Sequence, residues 1–276
     1  MSLLLNKDLA TKFYTMTDLE KYFRHNDEKL IHKWAHYFDI YDRHFSKYRG
    51  KELTILEIGV SQGGSLQMWK NYFGDKVKVF GIDIDPRCKE LEEENIQIFI
   101  GSQSDRKFLQ EVKNSIPKVD ILIDDGGHHM LQQIVSYEEL FGHIKDDGVY
   151  LIEDLHTSYW LKYGGGVKRK GTFIEYSKNF IDELNAYHSE QSNFKVNEFT
   201  KTVNSIHYYD SIIVIEKMPK SKPFSEMSGN LKFDNYAKRK EEVSSKIRPN
   251  TSFSKKLTNS CNRILRAFNL PNIGQQ

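Results

Sequence analysis

The segment from Val119 to Trp160 constrains the fold more than any other part of this 276-residue chain. Two short runs rich in β-branched residues, 119–123 and 149–152, are bounded by polar residues or glycine, and each predicts a buried strand. The apolar residues between them that recur at helical spacing are Leu131, Ile134, Val135, Leu140 and Ile144. The segment therefore predicts a strand-helix-strand unit, in which the two strands are parallel neighbours.

Acidic residues end both of these strands. Asp124 and Asp125 follow the first strand, and Glu153 and Asp154 follow the second. Parallel neighbours place their carboxyl ends at the same sheet edge, where open α/β sheets bind ligands. Like charges this close are unfavourable unless a cation lies among them, and Mg²⁺ or a similar divalent ion prefers oxygen ligands. The alternative is that the acids cap helices or turns, which suits one acid better than several beside His128.

A glycine-bearing turn in residues 59–64 follows a predicted strand, 53–58, and precedes a predicted helix, 65–73. Glycine lets the backbone approach a ligand, and a helix start offers free amides. The turn departs from the dinucleotide fingerprint because Ser61 stands at its middle glycine position. The next strand ends in Asp83, where an acid can bind ribose hydroxyls. These features predict a nucleoside ligand, and both NAD and S-adenosylmethionine remain open.

The other elements complete an α/β pattern. We expect a strand at 96–100, helices at 27–48 and 173–188, and a terminal antiparallel hairpin of strands 203–209 and 212–217. Residues 101–105 follow the third strand and are expected near an adenine, although Ser104 and Asp105 are equally suited to capping the next helix. In the loop 155–171, Tyr159 and Trp160 precede three glycines, which indicates a lid or a sugar-binding platform; the alternative is a connection with two core aromatics.

Composition divides the chain into three parts. We expect a helical cap at 1–50, a core domain at 51–218 and a basic extension at 219–276, which holds twelve Lys and Arg against four Asp and Glu. The extension thus carries +8 and the rest −6, an acidic body that argues against a nucleic-acid enzyme. Apolar residues from Phe253 to Phe268 recur at helical spacing beside basic ones. They predict a helix that packs on a sister subunit or the core, or that lies on anionic lipid.

Cysteine usage and the N-terminal sequence indicate the compartment. Two cysteines, Cys88 and Cys261, form no disulfide framework or metal spacing, which is typical of a reducing environment. No apolar run is long enough for a signal peptide or a transmembrane span. We expect a cytoplasmic protein.

Taken together, these motifs resemble class I S-adenosylmethionine-dependent methyltransferases, with a Rossmann-like seven-stranded sheet, mostly parallel, and an antiparallel terminal hairpin. More narrowly, IDDGGHH, IEDLHTSYW and HKWAHYFDIYDRHF resemble the metal-dependent sugar O-methyltransferases of macrolide biosynthesis and the related cephalosporin-hydroxylase-like group. The resemblance spans roughly residues 32–217. It implies Mg²⁺ or another divalent cation, S-adenosylmethionine, a small-molecule or glycan acceptor and a homo-oligomer.

The resemblance also implies roles for individual residues. It implies that His128 is the general base beside Asp125, with His129 and His156 as competitors for the base role. The implied metal ligands are Asp125, Glu153 and Asp154. The expected cofactor-binding residues are Glu57, Gly59, Ser61, Gly63, Ser65, Asp83, Ser102, Gln103 and Asp124. The expected substrate contacts are Tyr159, Trp160, His129 and His156.

Three alternatives to a sugar O-methyltransferase are open. A catechol-type or other small-molecule O-methyltransferase also uses Mg²⁺, but that family carries an Asp-Asn pair where Glu153 and Asp154 stand. A nicotinamide dehydrogenase explains Gly59, Gly64 and Asp83 but gives the acids no role. A non-catalytic nucleoside-binding or scaffold protein of polysaccharide assembly is the third.

Overall fold

The computed structural model describes residues 16–233. The strands are β1 (Leu53–Ile58), β2 (Val77–Asp83), β3 (Ile96–Ile100), β4 (Val119–Asp124), β5 (Ile144–Ile152), β6 (Val203–Tyr208) and β7 (Ile213–Lys217). The helices are α1 (Asp18–His25), α2 (Tyr37–Phe45), α3 (Gly64–Phe73), α4 (Arg106–Ser115), α5 (Met130–Leu140), α6 (Phe173–Ser177), α7 (Asn179–Leu184) and α8 (Glu198–Thr202).

The strands form one sheet in the order β3-β2-β1-β4-β5-β7-β6. The first five strands in this order are parallel to one another, whereas β7 runs antiparallel to both β5 and β6. The predicted Rossmann-like sheet with its terminal hairpin is therefore confirmed. Because β1, β4 and β5 are adjacent and parallel, the loops that follow them leave the sheet at the same edge.

Alternating side chains explain why the sheet is buried on both faces. In β1 and β4, Ile55 and Ile121 belong to a core with α2 and α3, whereas Leu56 and Leu122 belong to a second core with α4 and α5. All six residues of each of these strands are buried. Both strands are mostly apolar, as is typical of strands covered by helices on both faces, and this pattern predicted them.

Two predicted helices are shorter in the structure. Residues 27–36 contain no helix, and α2 begins only at Tyr37. The predicted helix 173–188 is divided into α6, α7 and a 3-10 turn. The Tyr208 hydroxyl donates to the Ser177 carbonyl oxygen at 2.8 Å, so that this carbonyl bonds to the hairpin where the helix divides. Tertiary contacts override the helical period at both places.

The chain divides into two units, Met1–Pro223 and Phe224–Gln276. The structure describes residues 224–233 of the second unit, and they contain neither helix nor strand. The predicted helix around Phe253–Phe268, and Cys261, lie outside the described residues. Within residues 16–233, every helix is too short or too polar to cross a membrane.

Candidate active site

The turn after β1 is held by the acid that ends β2. Asp83 Oδ2 accepts from the backbone amides of Val60 and Ser61, both at 2.9 Å. Gly59 has φ 96°, and a Cβ at this position would lie 2.0 Å from the Asp125 carbonyl oxygen. Only glycine therefore lets the turn after β1 pass this close to the loop after β4.

A cavity of about 370 Å³ opens beside this turn. Its volume is within the range of small-molecule sites. The predicted cofactor residues that line it are Gly59, Ser61, Ser65, Asp83, Ser102 and Gln103. Asp125, His128 and Asp154 line the same cavity. The structure thus brings the glycine turn and part of the acidic group to one space.

Three predicted cofactor residues lie outside the cavity wall. Gly63 precedes α3 with φ 77°, and Glu57 and Asp124 are fully buried. Glu57 Oε2 accepts from Ser65 Oγ at 2.9 Å and from Trp69 Nε1 at 3.1 Å. Burial raises the pKa of Glu57 and of Asp124 to about 7 each. These two acids bond to residues that line the cavity, Glu57 to Ser65 and Asp124 to Gln103. Their direct contact with a cofactor stays a prediction.

Gln103 joins the third strand's loop to the loop after β4. Its Nε2 donates to Asp124 Oδ1 at 3.0 Å, and its Oε1 accepts from the Gly127 amide at 2.7 Å. A Cβ on Gly126 would lie 1.9 Å from that same Oε1. Gly126, the first glycine of the DDGGHH motif, therefore gives Gln103 the room to fix the loop that carries His128.

The acids at the ends of β4 and β5 surround a lysine. Lys33 Nζ donates to Asp125 Oδ2 at 2.6 Å and to Glu153 Oε1 and Oε2 at 3.1 and 3.0 Å, and it lies 3.7 Å from Glu57 Oε1. Burial alone would lower the pKa of Lys33, but Asp125, Glu153 and Glu57 outweigh it and raise that pKa well above its usual value. Lys33 is a charged partner that the sequence analysis did not anticipate.

Asp154 faces a different set of partners from Glu153. Its Oδ1 accepts from the Tyr37 hydroxyl at 2.8 Å, and its Oδ2 lies 3.4 Å from His128 Nε2. Asp125 Oδ1 lies 3.9 Å from the same His128 nitrogen. One ligand atom each from Asp125, His128 and Asp154 lies within 4.8 Å of the others, a spacing that suits a metal ion. Glu153 is not in that group, and its predicted role as a ligand stays a prediction.

His128 and Asp154 both have a backbone conformation that is unusual for residues other than glycine. His128 has φ 57° and Asp154 has φ 55°, and Ser61 in the glycine turn has φ 49°. Non-glycine residues rarely adopt this left-handed region. The His128 side chain is 18% exposed, and burial lowers its pKa despite the opposing effects of Asp125 and Asp154. A neutral imidazole with a free nitrogen can accept a proton.

Three of the four predicted substrate contacts, His129, His156 and Trp160, lie along one arc of aromatic rings beside the acids. His156 is 4.5 Å from Trp160 between ring centroids, and 5.4 Å from Trp34. Tyr163 continues the arc, 5.9 Å from Trp160 and 5.1 Å from His129. Tyr159 is exposed near this arc in sequence but has no ring partner among the described residues.

A sequence pattern does not show which distant segment meets a sheet edge. It therefore did not identify four residues as parts of the site, namely Lys33, Trp34, Tyr37 and Tyr163. A signal was nevertheless present. Five acids lie at or next to the carboxyl ends of β1, β4 and β5, namely Glu57, Asp124, Asp125, Glu153 and Asp154. Such a group requires positive charge nearby, and HKW was the basic and aromatic segment of the family motif. The prediction of one helix over residues 27–48 concealed this signal.

Comparison with known proteins supports a common ancestry for this region. The chain is 31% identical over 208 residues to 8-demethyl-8-α-L-rhamnosyl tetracenomycin-C 2'-O-methyltransferase of Streptomyces olivaceus, covering 72% of this chain and 54% of the relative. It is 35% identical over 202 residues to demethylmacrocin O-methyltransferase of Streptomyces fradiae, covering 68% and 51%. The chain is a homologue of these O-methyltransferases.

A solved structure of such an enzyme has the same fold. MycE methyltransferase from the mycinamycin biosynthetic pathway, in complex with Mg, SAH and mycinamycin VI, matches with a TM-score of 0.65 and 29% identity, over 74% of this chain and 53% of that one. The family resemblance predicted from the sequence is confirmed. The chain spans about half the length of these relatives, and no family model matches it.

Proposed function

We propose that this chain is a divalent-cation-dependent and S-adenosylmethionine-dependent O-methyltransferase that acts on a hydroxyl of a sugar or glycosylated compound. The observation that carries the proposal is that Asp125, His128 and Asp154 converge on the same cavity as the glycine turn. The names of the relatives and the magnesium and SAH in the MycE complex support it. We place the activity in residues 51–218, with residues up to 50 as a cap.

The cavity wall suits a nucleoside with a sulfonium group. Asp83 lines the cavity at the end of β2, where ribose hydroxyls bind in related sheets. Ser102 and Gln103 line the side expected for adenine. S-adenosylmethionine would supply the methyl group. The residues of the turn would orient it so that the methyl carbon faces the acids.

The acidic group suits a divalent cation. Glu57, Asp125, Glu153 and Asp154 bring four carboxyl groups together, and Lys33 is the one Lys or Arg within 4.0 Å of any of them in the described chain. Asp125 and Asp154 each keep one oxygen that no lysine or tyrosine holds. These two residues, with Glu153 as the ligand implied by family resemblance, would hold the ion. A bound ion would lower the pKa of an acceptor hydroxyl.

His128 would take the proton of that hydroxyl at Nε2. This nitrogen lies 3.9 Å from Asp125 and 3.4 Å from Asp154, the two acids proposed to hold the ion, so the base would lie beside a hydroxyl bound there. The acceptor oxygen would then form its bond to the methyl carbon as the bond from carbon to sulfur breaks. The acceptor sugar would pack on the arc of Trp34, His156, Trp160 and Tyr163.

Calorimetric titration with S-adenosylmethionine and with Mn²⁺ tests the proposal without a known acceptor. We expect the full chain to bind both, Asp83→Asn to weaken S-adenosylmethionine binding by at least about tenfold, and Asp85→Asn to leave it unchanged. Asp85 is the matched control because it pairs with Arg87 outside the cavity. Absence of S-adenosylmethionine binding rejects the proposal, and binding of NAD in its place favours a dehydrogenase.

A second assay separates an enzyme from a scaffold. Labelled methyl transfer to a panel of rhamnosides and other glycosides, with Mg²⁺ or with a chelator, should show product only with the metal. His188→Ala, which removes an exposed histidine far along the chain, is the control for His128→Ala. Product formation that persists with the chelator rejects the metal role.

A further inference from the structure

Residues 27–36, here called the crossing segment, connect α1 to α2 across the cavity. The segment shares the lining of the cavity with the glycine turn, through Leu30, Ile31, His32 and Lys33. The segment lies directly on the start of α3, since a Cβ on Gly64 would be 2.4 Å from the Leu30 carbonyl oxygen. It therefore forms one wall of the proposed cofactor pocket.

Two side chains of the crossing segment, Ile31 and Lys33, are buried against the body. Ile31 is buried in the core between the sheet and α3. The Lys33 side chain is 2% exposed, and its ammonium is hydrogen-bonded to Asp125 and Glu153. Trp34 beyond it is exposed, as is Leu30 before it. At the far end of the segment, the buried attachment is therefore the charged contact of Lys33 with the acids of β4 and β5, and His36 Nε2 adds an exposed contact 3.2 Å from the Asp210 carbonyl oxygen.

The same acids are those expected to bind the divalent ion. Lys33 occupies Asp125 Oδ2 and both oxygens of Glu153, so an ion sharing these carboxylates meets the positive charge of a side chain that is only 2% exposed. Two cations that share one set of carboxylates weaken each other's binding. The coupling is reciprocal, because an ion that weakens the lysine contact is itself weakened by that contact.

We propose that Lys33 is a positioning residue that latches the crossing segment to the acids and opposes divalent-ion binding, so that binding of the ion loosens the wall of the cofactor pocket. This proposal rests on the proposed metal site for the identity of the cation. The latch itself rests only on the contacts of Lys33. Its two consequences are tighter ion binding without the lysine and greater mobility of residues 27–36 with the ion.

The first test measures Mn²⁺ affinity by calorimetry for Lys33→Met, Lys33→Arg and Lys29→Met in the full chain. Lys29 is the matched control because it belongs to the same segment but pairs with Glu93, 3.8 Å away on the surface. We expect Lys33→Met to bind Mn²⁺ at least tenfold more tightly than the wild type, and Lys33→Arg and Lys29→Met to stay within threefold. Equal or weaker binding by Lys33→Met overturns the proposal.

The second test needs no substitution, which matters because Lys33→Met leaves buried acids without a counter-ion and can fail to fold. Hydrogen exchange of the wild type at residues 27–36 should accelerate at least fivefold when Mn²⁺ is added, while exchange in β1 stays constant. Unchanged or slower exchange in the segment overturns the latch. S-adenosylmethionine binding in the same samples shows whether the proposed function has failed separately.

Discussion

Two groups of three side chains in residues 16–233 have ligand atoms close enough to hold a metal, and they differ in what those atoms already bind. At the hairpin, His44 Nδ1 lies 3.0 Å from Glu216 Oε1, and its Nε2 lies 2.9 Å from the Tyr209 hydroxyl. At the sheet edge, the nearest approaches of His128 Nε2 to carboxylate oxygens are 3.4 and 3.9 Å, and its Nδ1 has no hydrogen-bond partner.

The surroundings of the two groups differ in the same direction. At the hairpin, Ser205 Oγ lies 3.0 Å from His207 Nε2, and Lys47 Nζ lies 3.3 Å from Glu216 Oε1. The sheet-edge group lines the cavity, whereas the hairpin group joins α2 to β6 and β7. Both groups thus contain metal-ligating residue types at close spacing. The sheet-edge group differs because it lies beside a cavity and has atoms without a hydrogen-bond partner, which distinguishes a candidate active site from a structural network.

The largest expected difference between the groups is in catalysis. His128→Ala should lower methyl transfer by 10² to 10⁴ fold, about 3 to 5 kcal/mol, because it removes the proposed base. His207→Ala, in the hairpin group, should remain within threefold of the wild type. Single-turnover transfer to a glycoside acceptor measures both. A His128→Ala enzyme with nearly normal turnover would give the base role to His129 or His156.

The next difference concerns the ion. Asp154→Asn should weaken Mn²⁺ binding by at least about tenfold, since it removes one of two oxygens that face His128. Glu216→Gln should change it by less than twofold. Calorimetry or electron paramagnetic resonance of Mn²⁺ reports both affinities. A loss of Mn²⁺ with Glu216→Gln instead would make the hairpin group the metal site and remove the contrast.

For the free energy of unfolding, we expect the opposite order, with the larger effect at the hairpin group. His44→Ala leaves the Tyr209 hydroxyl and the Glu216 carboxylate short of a buried partner, so we expect the free energy of unfolding to fall by about 1 to 3 kcal/mol. His128→Ala removes a ring whose Nδ1 bonds to nothing, and the expected loss is under about 1 kcal/mol. Urea denaturation of the two variants measures the difference. Equal losses would mean that His128 is as structural as His44.

The smallest predicted effect depends on pH. Burial lowers the pKa of His44, although Glu216 opposes this, and His207 and Lys47 lower it further. A folded pKa below the unfolded value means that the contribution is present above about pH 6.5 and is lost as pH falls below it. His44→Gln should therefore lose less stability than the wild type between pH 7.5 and 5.5. An identical decline in both proteins would show that other groups control it.

The sequence predicted the sheet well because its evidence is local. The run from Leu53 to Ile58 is buried along its whole length and matches β1 residue for residue. The acids after β4 and β5 followed from strand ends and from the parallel rule. Lys33 did not, since its contacts with Asp125 and Glu153 span 92 and 120 residues of sequence. Helical spacing in residues 27–48 described a buried face correctly in α2 and failed where the chain crosses the cavity.

Ser61, His128 and Asp154 each carry their side chain to the cavity rim from a left-handed backbone. Such a conformation costs about 1 to 3 kcal/mol for a residue with a Cβ, and glycine adopts it freely. Selection for thermal resistance alone would favour glycine at all three places. At the cavity rim, thermal stability and catalysis thus favour different residues. We expect a heat-tolerant variant with glycine at these positions to have lost its activity.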